Sequence, residues 1–333
     1  MGEVGVAGAI PVVDVTAIVA GPHDAPAVAR VASEIDHACR TVGFFSIVGH
    51  GIDAALRAAL IDAAEAFFAH PDDEKAQIAM ARGGRAWRGW FPVGGELTSG
   101  QPDHKEGIYF GAELASDDPR VLAGTPLHGA NLFPAAPAIL RNVVLRYIDA
   151  CTELGASLMR AIGAGLGIDT RWFEQAVTTD PLVLFRIFRY PPDPGPRWSV
   201  AEHTDYGLLT ILMQDGTGGL QVHAPSGWID VPPDPDAFVC NIGDMLERMT
   251  AGQYRSTPHR VRNASNRSRL SFPFFYDPSW DALVQPVPGA NATSARARKR
   301  WDGADPLTFT GTYGDYLFAK VARVFPELGA GTF

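Results

Sequence analysis

His203 and Asp205 stand two residues apart, His259 follows after fifty-three intervening residues, and after nine more intervening residues come Arg269 and Ser271, again two apart. Two imidazoles and one carboxylate can occupy one face of an octahedral iron(II), leaving three positions for a bidentate co-substrate and dioxygen. An arginine beside a hydroxyl suits the far carboxylate of a keto-diacid, through a planar fork of charge-assisted hydrogen bonds and one further donor. The pattern points to oxygen activation at iron.

Such chemistry needs elements that aim these side chains together. In a β-strand residues i and i+2 share a face, so His203 and Asp205 reach one metal while Thr204 turns away. The same period sets Arg269, Ser271, Pro273 and Phe275 on one face of another strand. His259 must come from a third strand, and the intervening chain is long enough to leave the sheet and return. This geometry predicts a barrel or a jelly roll. Along Leu182 to Tyr190 the alternation brings Leu184, Arg186 and Phe188 to the face of Tyr190, which puts a second arginine inside the barrel. A buried arginine needs an anionic or hydrogen-bonding partner. Two readings stay open for Arg186: a salt bridge to a structural carboxylate, or a grip on a carboxylate of the substrate or of the co-substrate in a second orientation.

Elsewhere the chain runs from helical to sheet-rich. Val28, Val31, Ile35, Cys39 and Val42 follow a helical period that stops at Gly43, and Phe44 to Val48 reads as a short buried strand. Ala54 to Phe68 reads as a helix. Ile139 to Leu166 predicts one long helix or two stacked pieces packed behind the barrel. From Leu182 strands dominate, punctuated by turn signals at Pro192–Pro196, Asp215–Gly219 and Pro232–Pro235. The predicted organisation is a mostly helical support over 1–175, a jelly-roll core over 176–290 and a helical extension over 291–333, forming one catalytic unit. The fold class is mainly β with supporting α.

The segment from Phe188 to Phe275 resembles the isopenicillin N synthase-like branch of the iron(II) and 2-oxoglutarate-dependent oxygenases. The matching stretches are Tyr190-Pro191-Pro192, His203-Thr204-Asp205-Tyr206-Gly207, Asn241-Ile242-Gly243-Asp244-Met245-Leu246, Ser256-Thr257-Pro258-His259-Arg260-Val261 and Arg269-Leu270-Ser271-Phe272. Ile10 to Asp14 and Gly43 to Ile52 are similar to the family's N-terminal region, so the likeness runs from about residue 9 to about residue 320. It implies that His203, Asp205 and His259 hold Fe(II), and that Tyr190, Arg269 and Ser271 hold 2-oxoglutarate. The implied reaction consumes O2 and decarboxylates 2-oxoglutarate to succinate and CO2 while a C–H bond of a small organic molecule is oxidised, with hydroxylation as the default outcome. Asp205 argues against halogenation, for which the related enzymes open the carboxylate position. The glycine- and arginine-rich stretch Arg82 to Gly100 resembles the family segment over the active-site mouth. Arg85, Trp87 and Tyr109 are substrate-contact candidates beside Arg186, Phe188 and Phe275, with ordinary aromatic packing as the other reading. Tyr313 to Phe325 is either a lid helix or a core-packing helix. Two alternatives stay open: an oxidase like isopenicillin N synthase or an ethylene-forming enzyme, without a conventional substrate plus 2-oxoglutarate, and a non-enzymatic metal-binding protein on the same fold.

Composition bounds the partners. The 333 residues carry a net charge of -9, which weighs against nucleic acid, whose backbone needs a basic surface. The basic run Arg296–Arg300 reads as a solvated segment. No apolar run approaches a membrane span and no basic-then-apolar leader opens the chain, so the expectation is a cytoplasmic protein without membrane contact. Cys39, Cys151 and Cys240 are odd in number and set in apolar surroundings, which reads as reduced thiols. Of the nine histidines, His23, His37, His50, His70, His104, His128 and His223 read as structural. Four lysines among many arginines suggest a GC-rich bacterial source, and with it bacterial secondary metabolism. No coiled-coil or repeat pattern is present, and a monomer is expected.

Overall fold

The computed structural model describes residues 9–21, 24–193, 195–290, 300, 303 and 305–325. His23, Pro194 and residues 296–299 of the basic run lie outside the described residues.

Fourteen strands are described: β1 (Val12–Asp14), β2 (Phe44–Val48), β3 (Gly89–Phe91), β4 (Leu97–Thr98), β5 (Gln101–Pro102), β6 (Glu106–Gly111), β7 (Leu182–Tyr190), β8 (Val200–His203), β9 (Leu209–Gln214), β10 (Leu220–Ala224), β11 (Gly227–Val231), β12 (Phe238–Ile242), β13 (His259–Val261) and β14 (Arg269–Asp277). The major sheet has the order β1-β2-β12-β9-β14-β7-β6-β3, the minor sheet the order β11-β10-β13-β8, and β4 pairs with β5 alone. Facing sheets with returning long connections make the jelly roll that the ligand spacing predicts.

The region before residue 176 is largely helical, yet it also lends β1, β2, β3 and β6 to the major sheet. Strand β2 lies antiparallel along β12, and β6 along β7, so neither edge of the core strands is left open. The helix Ala25–Thr41 starts at Asp24, whose carboxylate accepts from the Ala27 N–H at 3.1 Å, and buries Val31, Ile35, Ala38 and Cys39. At Gly43, with φ +73°, the chain turns into β2; a Cβ there would sit 2.0 Å from the Arg255 carbonyl oxygen, so only glycine fits. The helix Ala54–Phe68 is capped by Asp53.

The stretch from Ile139 forms one continuous helix, Ile139–Gly165, which decides between the one-helix and two-helix readings. It packs against both earlier helices and behind the major sheet, where Gly155 gives Tyr276 room: a Cβ would come within 2.6 Å of that ring. The C-terminal helix Tyr313–Val324 opens on a capping box between Thr312 and Asp315. Cys39, Cys151 and Cys240 are buried free thiols. No described helix is long and apolar enough to cross a membrane.

Candidate metal centre and co-substrate pocket

One cavity opens between the two sheets. Its walls include His203, Asp205 and His259 from the minor-sheet side, and Tyr190, Arg269 and Ser271 from the major sheet.

Strand β8 ends at His203 and β13 begins at His259, and the register sets these two residues directly opposite each other. Their ring centroids are 4.2 Å apart. Asp205 lies two residues beyond the end of β8, so strand alternation does not aim its side chain. Its backbone is held instead by the start of the helix Asp244–Met249, whose Asp244 N–H donates to the Asp205 carbonyl at 2.8 Å. Thr204, expected to turn away, is among the residues lining the cavity. One ligand atom from each of His203, Asp205 and His259 can be chosen so that all lie within 4.8 Å of one another. His259 Nε2 is 3.8 Å from Asp205 Oδ1.

The donor set suits a divalent metal by protonation state as well as by distance. Burial holds the His203 imidazole below the usual histidine range, and His259 is pushed down to about 4, first by burial and then by neighbouring His203. Both rings are therefore neutral at neutral pH, the form in which an imidazole can bind a metal. His203 Nδ1 lies 2.8 Å from the Ala201 carbonyl, which accepts a hydrogen bond from Nδ1–H and leaves Nε2 with its lone pair free. Burial opposes charge on Asp205, but the two imidazoles and two hydrogen bonds outweigh it and hold the carboxyl below the usual range. Those bonds both end on Oδ2: Thr210 Oγ1 donates at 2.5 Å and Asn241 Nδ2 at 2.7 Å. Oδ1 is left as the oxygen facing His259.

At the other end Arg269 is fully buried. Its Nε donates to the Gly218 carbonyl at 2.6 Å and one terminal nitrogen donates to Gln214 Oε1 at 3.3 Å. The other terminal nitrogen, Nη1, is buried without a hydrogen-bond partner among the described residues. A buried unpaired guanidinium donor is costly, and it marks a place for an anionic ligand. Arg269 sits opposite Tyr190 in the β14–β7 register, with its Cζ 4.8 Å from the tyrosine ring. Ser271 Oγ donates to the Tyr190 hydroxyl at 3.3 Å, so two hydroxyls and one free N–H gather at one point. Such a group of donors could bind a carboxylate.

Arg186, Phe188, Tyr109 and Phe275 all line the same cavity. Trp87 and Arg85 do not. Trp87 takes a left-handed backbone conformation, φ 51°, and its ring stacks on Phe318 of the C-terminal helix at 6.0 Å, away from the cavity. The Arg85 carbonyl accepts from the Leu127 N–H, tying that residue to the loop beyond it. The other histidines have contacts of their own: His50 Nδ1 accepts from the Ile52 N–H, His70 pairs with Glu74, His104 faces Asp193 and His223 stands edge-on to Trp228.

Several lining residues were not singled out by sequence reasoning. Asn241 lay within a quoted motif without a role, and Thr210 carried no signal. Glu96 and Lys105 pair at 3.0 Å inside the pocket, where two carboxylates, Glu96 and Asp103, outweigh burial and keep the Lys105 ammonium charged. Their chain context, a loop and a strand edge, has no periodicity that would have exposed them. The choice between lid and core helix is answered both ways. Tyr313 is fully buried, while Leu317, Val321, Val324 and the following Phe325 face the cavity.

Comparison with known proteins agrees with this arrangement. Residues 10–136 match the family described as non-haem dioxygenase in morphine synthesis N-terminal, and residues 179–278 match the 2OG-Fe(II) oxygenase superfamily. A Dictyostelium discoideum protein described as a probable iron/ascorbate oxidoreductase is 45% identical over 325 residues, covering 90% of each chain. A homoarginine-6-hydroxylase of Glycine max is 34% identical, covering 96% of this chain and 98% of its own. Among solved structures, a full-length Neurospora crassa protein in complex with alpha-KG (2-oxoglutarate) superposes with a TM-score of 0.78 at 27% identity, covering 97% of this chain and 100% of that one.

Proposed function

The chain belongs to the 2OG-Fe(II) oxygenases, enzymes that use iron(II), 2-oxoglutarate and O2 to oxidise a small molecule, and from that premise we propose which of its residues do the work. His203, Asp205 and His259 would hold the iron. Tyr190, Arg269 and Ser271 would hold the far carboxylate of 2-oxoglutarate. The observation that carries this reading is the pairing, in one cavity, of a His-Asp-His cluster with an arginine nitrogen that has no other partner among the described residues.

Bound there, the iron with its co-substrates supplies the oxidising power, and 2-oxoglutarate leaves as succinate and CO2. The chain's own task is positioning. Asn241 and Thr210 fix the Asp205 carboxylate, the Ala201 carbonyl fixes the His203 ring, and Arg269 orients the co-substrate along β14. Phe188, Phe275 and the C-terminal helix keep water from the reacting centre. Hydroxylation is the proposed outcome, in keeping with the relative named as a hydroxylase. The oxidase reading without 2-oxoglutarate is not favoured, because the matching family and the structural neighbour both carry 2-oxoglutarate in their descriptions.

The finer assignments are proposals as well. The buried free thiols support a reducing compartment, hence the cytoplasm; the arginine-rich, four-lysine composition is the one support for a bacterial source and bacterial secondary metabolism, whereas the relatives reported from Dictyostelium, soybean and Neurospora are eukaryotic. We further propose that 1–175, 176–290 and 291–333 act as one catalytic unit, since strands from both sides of residue 176 share the major sheet and the C-terminal helix lines the cavity.

Anaerobic iron(II) titration with and without 2-oxoglutarate, followed by oxygen and a succinate assay, tests the residue assignment. A visible charge-transfer band that depends on 2-oxoglutarate, then succinate release, is the expected result. Iron binding with no band would remove Tyr190, Arg269 and Ser271 from the co-substrate role.

A further inference from the structure

Two arginines, Arg186 and Arg269, face this cavity, and the co-substrate site proposed above uses only Arg269. Arg269 lies opposite Tyr190, and Arg186 lies four residues earlier on the same face of β7, about 13 Å away at about 3.3 Å per residue. Arg186 has five N–H donors, yet among the described residues it makes no hydrogen bond, and its Nε is buried without a partner. Its side chain keeps 16% of its surface accessible, so the fork is open to the cavity rather than sealed in the wall.

The neighbours hold the guanidinium in place without filling its fork. Tyr109 is its cross-strand partner in β6, with the ring centroid 4.1 Å from Arg186 Cζ, and Phe275 stands at 4.8 Å. This fixes the plane of the group. Glu96 Oε1 is 3.8 Å from the nearest guanidinium nitrogen, beyond hydrogen-bond reach, and that oxygen already accepts from the Tyr109 hydroxyl at 2.6 Å. Its other oxygen faces Lys105. Asp277, the remaining acid lining this end, is engaged by the Tyr313 hydroxyl and the Leu208 N–H. The expected structural carboxylate therefore exists, and it balances charge while leaving the hydrogen-bonding capacity of Arg186 unused. The same cavity also presents apolar surface: Phe188 and Phe275 on the sheet, and Leu317, Val321 and Phe325 on the C-terminal side.

We propose that the oxidised substrate is a small carboxylic acid with an apolar body, its carboxylate held by Arg186 between Tyr109 and Phe275 and its body lying against the C-terminal helix. A planar, oriented fork with no internal acceptor matches a carboxylate bidentately, and the hydrocarbon walls match the remainder of such a molecule. The proposal rests on the assignment of Arg269 to 2-oxoglutarate, which leaves Arg186 for a second anion.

The test is equilibrium binding, under anaerobic conditions, to the protein loaded with iron(II) and 2-oxoglutarate. The probes are straight-chain monocarboxylates from butyrate to octanoate and phenylacetate, each set against its methyl ester. The wild-type protein should bind at least one acid roughly tenfold or more tightly than its ester. That ratio should fall to about one in Arg186→Gln and be partly kept in Arg186→Lys, which retains the charge. Acids and esters binding alike, no acid binding, or a ratio that survives in Arg186→Gln would each overturn the proposal. So would a loss of 2-oxoglutarate affinity in Arg186→Gln as large as the loss of acid affinity, since that would place the co-substrate at Arg186. Failure of the underlying co-substrate assignment reads out separately, as a wild-type protein with no 2-oxoglutarate-dependent band.

Discussion

Asn241 on β12 and Thr210 on β9 are direct cross-strand partners, and both donate to the same oxygen, Oδ2 of Asp205. The pair saturates one side of the carboxylate and turns Oδ1 toward the histidines. Partners of metal ligands of this kind set ligand orientation, and their loss typically lowers metal affinity about 10- to 100-fold. Asn241→Ala should therefore weaken iron(II) binding by about that factor, measured by anaerobic titration, while circular dichroism shows the fold retained. Unchanged iron affinity would mean that Asn241 does not orient Asp205, the Thr210 hydroxyl and the backbone being sufficient.

Arg269 makes the second prediction. Replacing it with glutamine removes a fork worth about 1.5–3 kcal/mol per charged hydrogen bond, so the 2-oxoglutarate Kd should rise at least about tenfold with iron affinity little changed. Tyr190→Phe removes a single hydroxyl and should cost less. A 2-oxoglutarate titration of the iron-loaded protein separates these effects, and an Arg269→Gln protein with wild-type affinity would refute the assignment.

His50 gives a pH prediction away from the metal. Its pKa is pushed down to about 4, first by burial and then by Arg57; its Nδ1 accepts from the Ile52 N–H at 3.1 Å, and its ring stacks on Phe238 at 4.1 Å. In the unfolded chain a histidine takes up its proton near pH 6.5, so between about 6.5 and 4 the unfolded state binds more protons than the folded state. Stability from neutral His50 is thus complete above about pH 6.5 and is lost as pH falls toward 4, by at most about 3 kcal/mol. Urea unfolding of the metal-free protein at pH 7.5 and 5 should show this slope, and His50→Gln should flatten it. An identical slope in the variant would show that other groups carry it.

Arg300 anchors the C-terminal segment. Its Nε donates to Asp244 Oδ1 at 2.8 Å, it also pairs with Glu247, and Tyr316 of the C-terminal helix donates to Asp244 Oδ2 at 2.9 Å. Removing one member of a buried charged set leaves the others uncompensated, at about 3–5 kcal/mol. Arg300→Met should lose about that much in chemical denaturation, and combining it with Asp244→Asn and Glu247→Gln should recover part of it. A near-neutral Arg300→Met would show that water reaches the carboxylates.

Much of the site was legible because it obeys short-range rules. Residues i and i+2 on a strand share a face whatever the rest of the molecule does, so Arg269 with Ser271, and Arg186 with Phe188 and Tyr190, could be grouped before any fold was known. The helix Ala54–Phe68 and the helical character of the stretch from Ile139 were read from the chain itself, the latter from periodicity, and the strand Phe44–Val48 from its apolar run after Gly43; that Ile139–Gly165 is one helix and not two came from the structure. Those features are local, and local sterics suffice to read them.

The tertiary structure decided everything that depends on which strand lies beside which. Asp205 falls past the end of its strand, so its aim depends on Asn241 and Thr210, brought beside it by the β12–β9 pairing. Trp87 looked like a pocket aromatic, but a left-handed turn sends its ring to Phe318. Tyr109 flanks Arg186 only because β6 lies against β7, Glu96 is brought there by the Tyr109 hydroxyl, and the C-terminal helix reaches the cavity only after the chain has closed around it. Sequence alone determined the chemical groups and the faces they share. Their partners were set by long-range pairing, because hydrogen bonds between strands distant in the chain carry no period that one strand's residues can display.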